Sequence, residues 1–503
     1  MTSRPNLPEI PMSPPAPPLS EIPVSSNLGI SASSGIKWNF VSQGGQQVAQ
    51  LLTMVVLARL LPPSDFGLLG MAAVILGFIT IFKDLGTAAA VIRSRAFDPE
   101  LLPTVFWANV AMGMLGTLLL VFTAPAVAAF YREPTLTGIM RALALGFFIS
   151  GLSNLHKALL ERKLAFRILA GVELTSVLAG AVAGISTAKS GFGVWALVAQ
   201  LLTSTTFMTV LLWIFEEFKP SMTFSWRALS GLTSFSLNLT GFNVFNYVIR
   251  NADNLLIGRF LGPFPLGIYA LAYRIMLYPL QSVTTVISRV MYPVYSCMQD
   301  DDARFRAAFA RTGGLIALVT FPLMTGVCVL AEPFILVVFG PHWAGVIPLI
   351  RILAPIGMVE SVAATCGAIL QTKGRTDVMF KWGVFSGVIV LFAFVVGLRW
   401  GLLGVTTAYA IASILLTLPF LLISLRLLKM RLRELFRPLA GPLFASLVMA
   451  AVVLLLDKVL HLNSRALLLG FLVLTGVLLY TAVSWLFNRR QLLDALHLAM
   501  RKA

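Results

Sequence analysis

Charged residues are scarce in this chain, and histidine is scarcer still. Of its 503 residues, 12% are Asp, Glu, Lys or Arg, and only four are His. The histidines are scattered, with no H-E-x-x-H and no His/Cys cluster, so nothing indicates a metal or catalytic site. No G-x-x-x-x-G-K-S/T motif occurs either, and we expect no nucleotide hydrolysis. The sequence therefore predicts neither a cofactor nor a metal.

Cysteine and secretion signals are also nearly absent. The three cysteines, Cys297, Cys328 and Cys366, fit no metal or redox spacing, and we expect no disulfide. The first 34 residues lack a basic region followed by an apolar one, so they do not form a cleaved signal peptide. Their Pro and Ser content predicts a disordered cytoplasmic tail, with a polyproline ligand for a partner as the alternative.

Long apolar runs are what the chain has in abundance. Hydrophobic residues make up 58% of it, and the mean hydropathy is +0.87, which is far above that of a soluble domain. About fourteen stretches of roughly 18 to 25 residues are each long enough to cross about 30 Å of hydrocarbon as a helix. The sequence predicts an all-α polytopic membrane protein with about fourteen transmembrane helices.

The basic excess is unevenly distributed along the chain. The formal net charge is +17. With the N-terminus inside, Lys and Arg collect in cytoplasmic loops, as at Lys157, Arg162, Lys163 and Arg167, and are few in external loops. This positive-inside bias and an even number of spans predict that both termini are cytoplasmic. Anionic lipid headgroups account for the basic surface, so we expect the bilayer and no nucleic acid as a partner.

Two segments match without a gap at an offset of about 200 residues. They are ARLLPPSDFGLLGMAA at 58–73 and GRFLGPFPLGIYALAY at 258–273, and each joins two apolar stretches. A second match, GVWALVA at 193–199 with GVTTAYA at 404–410, lies in the sixth stretch of each half. Duplicated halves are a common transporter plan. We predict two six-helix lobes, related by this internal repeat, around a central cavity, followed by two trailing helices.

The repeat also divides the chain. Every predicted external loop is short, which leaves no room for an extramembrane catalytic domain. The predicted units are a Pro/Ser-rich tail at 1–34, an N-lobe with spans one to six at 35–228, a C-lobe with spans seven to twelve at 229–436, a trailing helix pair at 437–488, and a basic cytoplasmic tail at 489–503.

Polar side chains recur at three- and four-residue steps on span one, so they share one helical face. The positions of span seven that correspond at the repeat offset are polar too. Because polar groups in lipid are costly, these stripes either line a cavity or hold the bundle together by interhelical hydrogen bonds. The stripe on span one contains Asn39, Gln43, Gln47 and Gln50, with Gln46 at its flank, and the corresponding positions of span seven hold Asn243, Asn246 and Arg250.

Few ionisable residues remain inside the predicted spans. A charge at the bilayer centre costs roughly 2.5 to 3.5 kcal/mol on insertion scales, so each needs a partner or water. Arg250 and Asp253, three residues apart, can neutralise each other. Arg274, near the middle of span eight, has no acidic residue one turn away and suits an anionic cargo such as a diphosphate. Arg351, near the outer end of span ten, either joins them or snorkels to the headgroups.

Three intramembrane carboxylates are candidates for an ion-coupling site. They are Asp253, Glu360 and Glu173. For Glu360 and Glu173 the alternative is interhelical pairing with a neighbouring Arg, Lys or Ser. The sequence does not decide between these possibilities, and it does not identify the coupling ion.

Three stretches of the chain resemble the polysaccharide transporter family. These stretches are residues 251–306, which begin NADNLLIGRFLGPFPLGIYALAYRIM, AEPFILVVFGPHWAGVIPLIRILA at 331–354, and the opening at 35–70. The family comprises the Wzx-type lipid-linked oligosaccharide flippases of the multidrug/oligosaccharidyl-lipid/polysaccharide (MOP) superfamily. The resemblance covers residues 36 to about 490, and D-x-L-L-I-G-R-x-L-G followed by L-G-x-Y is typical of the branch associated with colanic acid and other exopolysaccharides.

The resemblance implies a function. Members of the family are similar in having two six-helix lobes around a cationic cavity, and they move undecaprenyl-diphosphate-linked repeat units across the bacterial inner membrane, driven by an ion gradient. A polysaccharide polymerase and a chain-length co-polymerase are the partners it suggests. By this resemblance, Arg250, Arg274 and Arg351 would meet the diphosphate or acidic sugars, and the Gln and Asn stripes would meet sugar hydroxyls.

Other functional classes predict different sequence features. A drug/cation antiporter of the same superfamily would share the fold, but its cavity should favour acidic residues, whereas Arg is prominent in the spans here. A membrane enzyme such as a glycan polymerase or ligase should have a large outer loop carrying Arg or His, and none is predicted. In a purely structural scaffold, charges buried in the membrane would lower stability without serving a function. We therefore predict a transporter rather than an enzyme.

Overall fold

The computed structural model describes residues 26–83, 101–226, 244, 246–298, 301–460, 464–489 and 491–493. All regular secondary structure in this part of the chain is helical. The helices of the first half are α1 (Ser26–Leu60), α2 (Pro63–Lys83), α3 (Leu101–Tyr131), α4 (Thr135–Gly151), α5 (Asn154–Arg162), α6 (Phe166–Lys189) and α7 (Trp195–Phe215).

The second half continues with the same kind of element. A helical stretch at 246–250 precedes its first full helix. The helices are α8 (Ala252–Leu261), α9 (Pro263–Cys297), α10 (Asp302–Val329), α11 (Ala331–Val338), α12 (Val346–Ala363), α13 (Cys366–Thr372), α14 (Thr376–Gly397) and α15 (Gly401–Leu427), followed by the trailing pair α16 (Leu432–Val459) and α17 (Arg465–Phe487).

The apolar runs form membrane-length helices, as the sequence predicts. Among the described residues, nine helical stretches are long and apolar enough to span a membrane, or ten if α4 and α5, bent by 41°, form one span. One of the nine, Thr376–Leu427, contains both α14 and α15, joined by a short 3-10 turn. The number fourteen and the internal repeat stay predictions.

Helices of each half pack mainly on one another. In the first half α6 contacts α1 and α7, and α4 contacts α3 and α7. In the second, α12 lies against α9, α10 and α15, while α14 pairs with α15. The trailing helix α16 packs on α10 and α17, and the Tyr480 hydroxyl donates a hydrogen bond of 2.7 Å to the Leu318 carbonyl. The predicted domain boundaries themselves are not tested by this packing.

The two halves meet most extensively where α2 crosses α9. Both helices begin with proline and carry glycine one turn later. A β-carbon at Gly67 would collide with the main-chain carbonyl of Pro263, and one at Gly267 would collide with that of Pro63. Glycine is therefore needed on both helices for this close approach. The contact is reciprocal between positions that the predicted repeat makes equivalent.

Candidate cavity and coupling site

One hydrogen bond joins the two halves at the polar stripe of α1. The Tyr278 hydroxyl on α9 donates to Gln47 Oε1 at 3.1 Å. Gln43 and Gln50 are exposed and share this helical face with Gln47. The stripe on α1 therefore faces the second half of the chain.

Gln46, beside the stripe, points into the first half. Its side-chain amide donates to Glu173 Oε2 at 2.8 Å, and Lys157 Nζ lies 2.9 Å from Glu173 Oε1. Glu173 thus ties together α1, α5 and α6. These contacts are the interhelical pairing that was one of the two roles the sequence allows for Glu173.

Arg274 occupies the face of α9 that looks toward α1. It precedes Tyr278 by four residues, so the two side chains lie on the same side of the helix. With a rise of 1.5 Å per residue, Arg274 lies about 16 Å from the start of α9. Its side chain is exposed, and within the described part of the chain no carboxylate pairs with it. The guanidinium is available to an anion.

Arg250 and Asn246 form the second polar face. Both are exposed, and they are four residues apart on the helical stretch before α8. Between them, the Tyr247 hydroxyl donates to the Val74 carbonyl of α2 at 2.9 Å. This stretch therefore also lies at the boundary between the halves. Asn243, the remaining member of the predicted stripe, lies outside the described residues.

The structure does not pair Arg250 with Asp253. Asp253 is 4% exposed. Its carboxylate accepts hydrogen bonds from the main-chain N–H of Asn254 at 2.7 Å and from the Tyr269 hydroxyl at 3.1 Å. Arg250 is exposed, and in the described residues no ion pair joins it to Asp253. The sequence allowed Arg250 to neutralise Asp253. In the structure, a hydroxyl and a main-chain N–H stabilise Asp253 instead. Sequence spacing alone did not reveal these donors, because one of them comes from α9.

Arg351 has an acidic neighbour. Its guanidinium lies 3.5 Å from Glu332 of α11, and both side chains are more than half exposed. It sits five residues from the start of α12, about 8 Å along the helix, near the predicted outer side. No described contact brings it together with Arg250 or Arg274.

Glu360 is a half-buried carboxylate of the second half. Its Oε1 accepts hydrogen bonds from the Tyr409 hydroxyl at 2.8 Å and from Ser413 at 3.1 Å, both on α15. Tyr273 of α9 lies against Tyr409, with ring centroids 6.0 Å apart at 71°. In the part of the chain that the structure describes, the hydrogen bonds to this carboxylate come from hydroxyl groups.

Asp253 and Glu360 belong to one cluster. Tyr273 also stacks on Tyr269, with ring centroids 5.7 Å apart and an interplanar angle of 15°. The sequence interpretation included the carboxylates but missed the tyrosines. Tyrosines four residues apart in an apolar stretch are the signal that could have indicated them. We call this cluster the carboxylate–tyrosine unit; it consists of Asp253, Tyr269, Tyr273, Glu360, Tyr409 and Ser413.

The predicted outer ends of the halves are held together by a second group of contacts, here called the outer seal. The Trp343 indole N–H donates to the Ala58 carbonyl at 2.7 Å. The Trp343 and Phe66 rings pack edge to face, with ring centroids 5.2 Å apart. Arg59 Nε donates to the Val338 carbonyl at the end of α11, at 2.8 Å. The outer seal consists of Ala58, Arg59, Phe66, Val338 and Trp343.

The comparisons with known proteins agree with this arrangement. The family model described as polysaccharide biosynthesis protein matches residues 56–348, more than half of the chain. The chain therefore belongs to the polysaccharide biosynthesis protein family, which confirms the resemblance seen in the sequence.

Curated relatives match over most of their length. The lipopolysaccharide biosynthesis protein WzxC of Escherichia coli (strain K12) is 28% identical over 390 residues, covering 76% of this chain and 79% of WzxC. The teichuronic acid biosynthesis protein TuaB of Bacillus subtilis (strain 168) is 28% identical over 425 residues, covering 83% of this chain and 87% of TuaB. Both are named for the synthesis of cell-envelope polysaccharides.

A solved structure shows the same fold. The lipid II flippase MurJ, in an inward closed conformation, superposes with a TM-score of 0.72 at 14% identity, over 90% of this chain and 99% of MurJ. This likeness confirms the predicted all-α polytopic membrane fold.

Proposed function

We propose that this protein flips diphosphate-linked oligosaccharide lipids across the bacterial inner membrane for surface polysaccharide synthesis. The family membership and the flippase fold support this proposal. The observation that carries it is Arg274, whose exposed side chain lies one helical turn from Tyr278, the residue that hydrogen-bonds to Gln47 of α1. A guanidinium binds a diphosphate through paired hydrogen bonds.

Arg250 is the second residue that we assign to the diphosphate, since it is exposed on the same boundary between the halves. The amide groups of the two polar stripes suit sugar hydroxyls, because an amide both donates and accepts hydrogen bonds. Arg351 is a third, more external contact for acidic groups once Glu332 releases it. The amides assigned to the glycan are Gln43, Gln47, Gln50, Asn246 and Asn243.

Transport proceeds by alternating access of the two halves. The outer seal closes one side, so cargo enters from the predicted cytoplasmic side, and opening requires the Trp343–Ala58 hydrogen bond to break. Asp253 and Glu360 are the carboxylates that we assign to ion coupling, whereas Glu173 serves as an interhelical tie. Both termini are cytoplasmic in this scheme, and a polysaccharide polymerase with its co-polymerase uses the flipped lipid.

A deletion strain tests the proposal. Loss of the protein should remove surface polysaccharide and cause complete undecaprenyl-diphosphate glycans to accumulate in the cytoplasmic leaflet. Arg274→Ala should reproduce this defect at normal membrane abundance, whereas Arg465→Ala, at the exposed start of α17, is the matched control and should export normally.

A drug/cation antiporter is the other candidate. It predicts unchanged lipid-linked pools together with altered drug sensitivity. Normal export by Arg274→Ala would refute the central role of that residue.

A further inference from the structure

We propose that a hydroxyl-lined pocket inside the first half binds an uncharged sugar of the glycan and thereby selects which repeat units are transported. We call it the hydroxyl pocket; its polar residues are Thr80 of α2, Ser150 of α4 and Thr205 of α7. This inference rests on the proposed transport function, since it names a binding site for part of that cargo. It goes beyond the amide stripes because the pocket lies within one half rather than at the boundary between the two.

Three neighbouring helices leave the hydroxyl pocket open between them. The helices α2, α4 and α7 contact one another, and they enclose a cavity of about 190 Å³. A cavity of about 150 Å³ is enough to hold a six-membered ring. Gly146 of α4 keeps part of this space free, because a β-carbon there would lie against Leu202 of α7, at 3.7 Å. The pocket therefore has room for one sugar ring.

The hydroxyl groups of the pocket offer hydrogen-bond acceptors to a ligand. Thr80 and Thr205 each donate their hydrogen to the main-chain carbonyl four residues earlier, at 2.9 Å. Ser150 donates to a carbonyl of its own helix at 3.0 Å. A hydroxyl has one hydrogen and two lone pairs, so what it offers beyond such a bond is an acceptor. A fitting ligand therefore carries hydrogen-bond donors, as a sugar does on its hydroxyl groups.

The lining of the hydroxyl pocket indicates a neutral ligand. Apart from the three hydroxyl residues, the described residues that line it are leucine, glycine and phenylalanine, and none is ionisable. A phosphate or carboxylate would meet hydroxyl lone pairs there without a cation to balance it, and burying an unpaired charge is costly. An apolar wall with a few polar groups suits a sugar ring, which has C–H faces and a rim of hydroxyls. The diphosphate, by contrast, belongs at Arg274.

The helix face that carries Thr80 continues to the boundary between the halves. Ala73 lies seven residues before Thr80, on the same face of α2, and both residues are exposed. The Ala73 carbonyl lies 3.4 Å from the Tyr247 hydroxyl. Tyr247 belongs to the stretch that presents Asn246 and Arg250. The hydroxyl pocket therefore adjoins the second polar face of the proposed cargo path.

The pocket also lies close in level to the residue that we assign to the diphosphate. The helices α2 and α9 cross near their first residues, Pro63 and Pro263. Thr80 is six residues further along α2 than Arg274 is along α9, which corresponds to about 9 Å of helix rise. A glycan attached to a diphosphate at Arg274 therefore has to extend inward by about that distance to reach the hydroxyl pocket.

Equilibrium binding to the purified full-length protein in detergent tests the proposal with two probes. One is the undecaprenyl-diphosphate-linked glycan extracted from the host, and the other is undecaprenyl diphosphate without sugar. Thr205→Val removes one hydroxyl and keeps the shape, so it should weaken binding of the glycan lipid about fivefold and leave binding of the sugar-free lipid unchanged. Gly146→Ala narrows the pocket and should act in the same way. Arg274→Ala should weaken binding of both lipids.

Two control variants accompany these measurements. Thr205→Ser keeps the hydroxyl and should bind both lipids as the wild type does. Thr123→Val removes a hydroxyl that also donates to its own helix, at 2.7 Å, but lies in α3 outside the pocket. It should change neither affinity.

Wild-type affinity for the glycan lipid in both Thr205→Val and Gly146→Ala would overturn the inference and leave the proposed function standing. Equal weakening of both lipids in these variants would also overturn it, since the substitutions would then act on the protein as a whole. A wild-type protein that binds neither lipid would refute the proposed function, and this inference with it.

Discussion

Trp343 donates a hydrogen bond from its indole nitrogen to the main-chain carbonyl of Ala58, across the boundary between the two halves. Trp343 is 1% exposed and sits in a 3-10 turn between α11 and α12, whereas Ala58 lies in the last turn of α1. A carbonyl near the end of a helix lacks its own helical partner, so an external donor stabilises it. The contact closes the predicted outer side by satisfying a group that would otherwise need water.

Trp343→Phe should loosen this closure. The substitution keeps an aromatic ring against Phe66 but removes the N–H donor, which costs about 1 kcal/mol and corresponds to about fivefold faster hydrogen exchange. Hydrogen exchange of the last two turns of α1, measured in lipid vesicles, is the readout. Trp400→Phe is the control, since Trp400 is 69% exposed. Equal exchange in wild type and Trp343→Phe would contradict a sealing role.

Gly67→Ala should disturb the crossing of α2 and α9. The added methyl group would collide with the Pro263 carbonyl, which is main chain and cannot turn aside. We expect the helices to separate, with faster exchange at the starts of α2 and α9 and reduced export. Gly267→Ala should behave alike, because Pro63 occupies the reciprocal position.

Gly171→Ala is the matched control for these variants. Gly171 lies in α6, and a β-carbon there meets nothing within 4 Å. In an open helical position alanine is favoured over glycine by about 0.5–1 kcal/mol. The control should therefore be as stable as wild type or more so. A Gly67→Ala protein that matches it in exchange and export would rule out the close crossing.

Glu173→Gln tests whether Glu173 has a structural role rather than a role in ion coupling. The Lys157 ion pair is partly exposed, so its loss should cost at most about 1 kcal/mol, and the Gln46 contact can re-form with an amide. Thermal unfolding in detergent should show a small decrease while polysaccharide export continues. Asp253→Asn, by contrast, should stop export. Loss of export in Glu173→Gln at normal abundance would return Glu173 to the coupling site.

The sequence predicted the helices and their polar faces better than it predicted which side chains contact each other. Periodicity placed Gln43, Gln47 and Gln50 on one face of span one, and the structure joins Gln47 of that face to the second half through Tyr278. The three-residue spacing suggested an ion pair between Arg250 and Asp253. Such spacing shows only which side chains are close along a single helix. The hydroxyl that replaces Arg250 belongs to Tyr269, sixteen residues later on another helix.

The tyrosines of the carboxylate–tyrosine unit were missed for a related reason. In an apolar stretch, tyrosine is an ordinary core residue, and only tertiary packing shows where its hydroxyl points. Tyr409 and Glu360 are 49 residues apart, and no local pattern links them. Arg351 likewise acquired a partner, Glu332, from a short helix that the sequence interpretation had not separated from its neighbours.

Arg274→Lys tests whether a positive charge alone suffices at this position. Lysine keeps the positive charge but presents a compact ammonium in place of a planar group that can bind two phosphate oxygens at once. If the cargo is held as a diphosphate, export should fall well below wild type yet stay above that of Arg274→Ala. Rates of lipid-linked glycan flipping in vesicles, with Arg465→Lys as control, give the comparison. Wild-type rates in Arg274→Lys would mean that Arg274 supplies only a general positive potential, and full loss equal to Arg274→Ala would mean that paired geometry is indispensable.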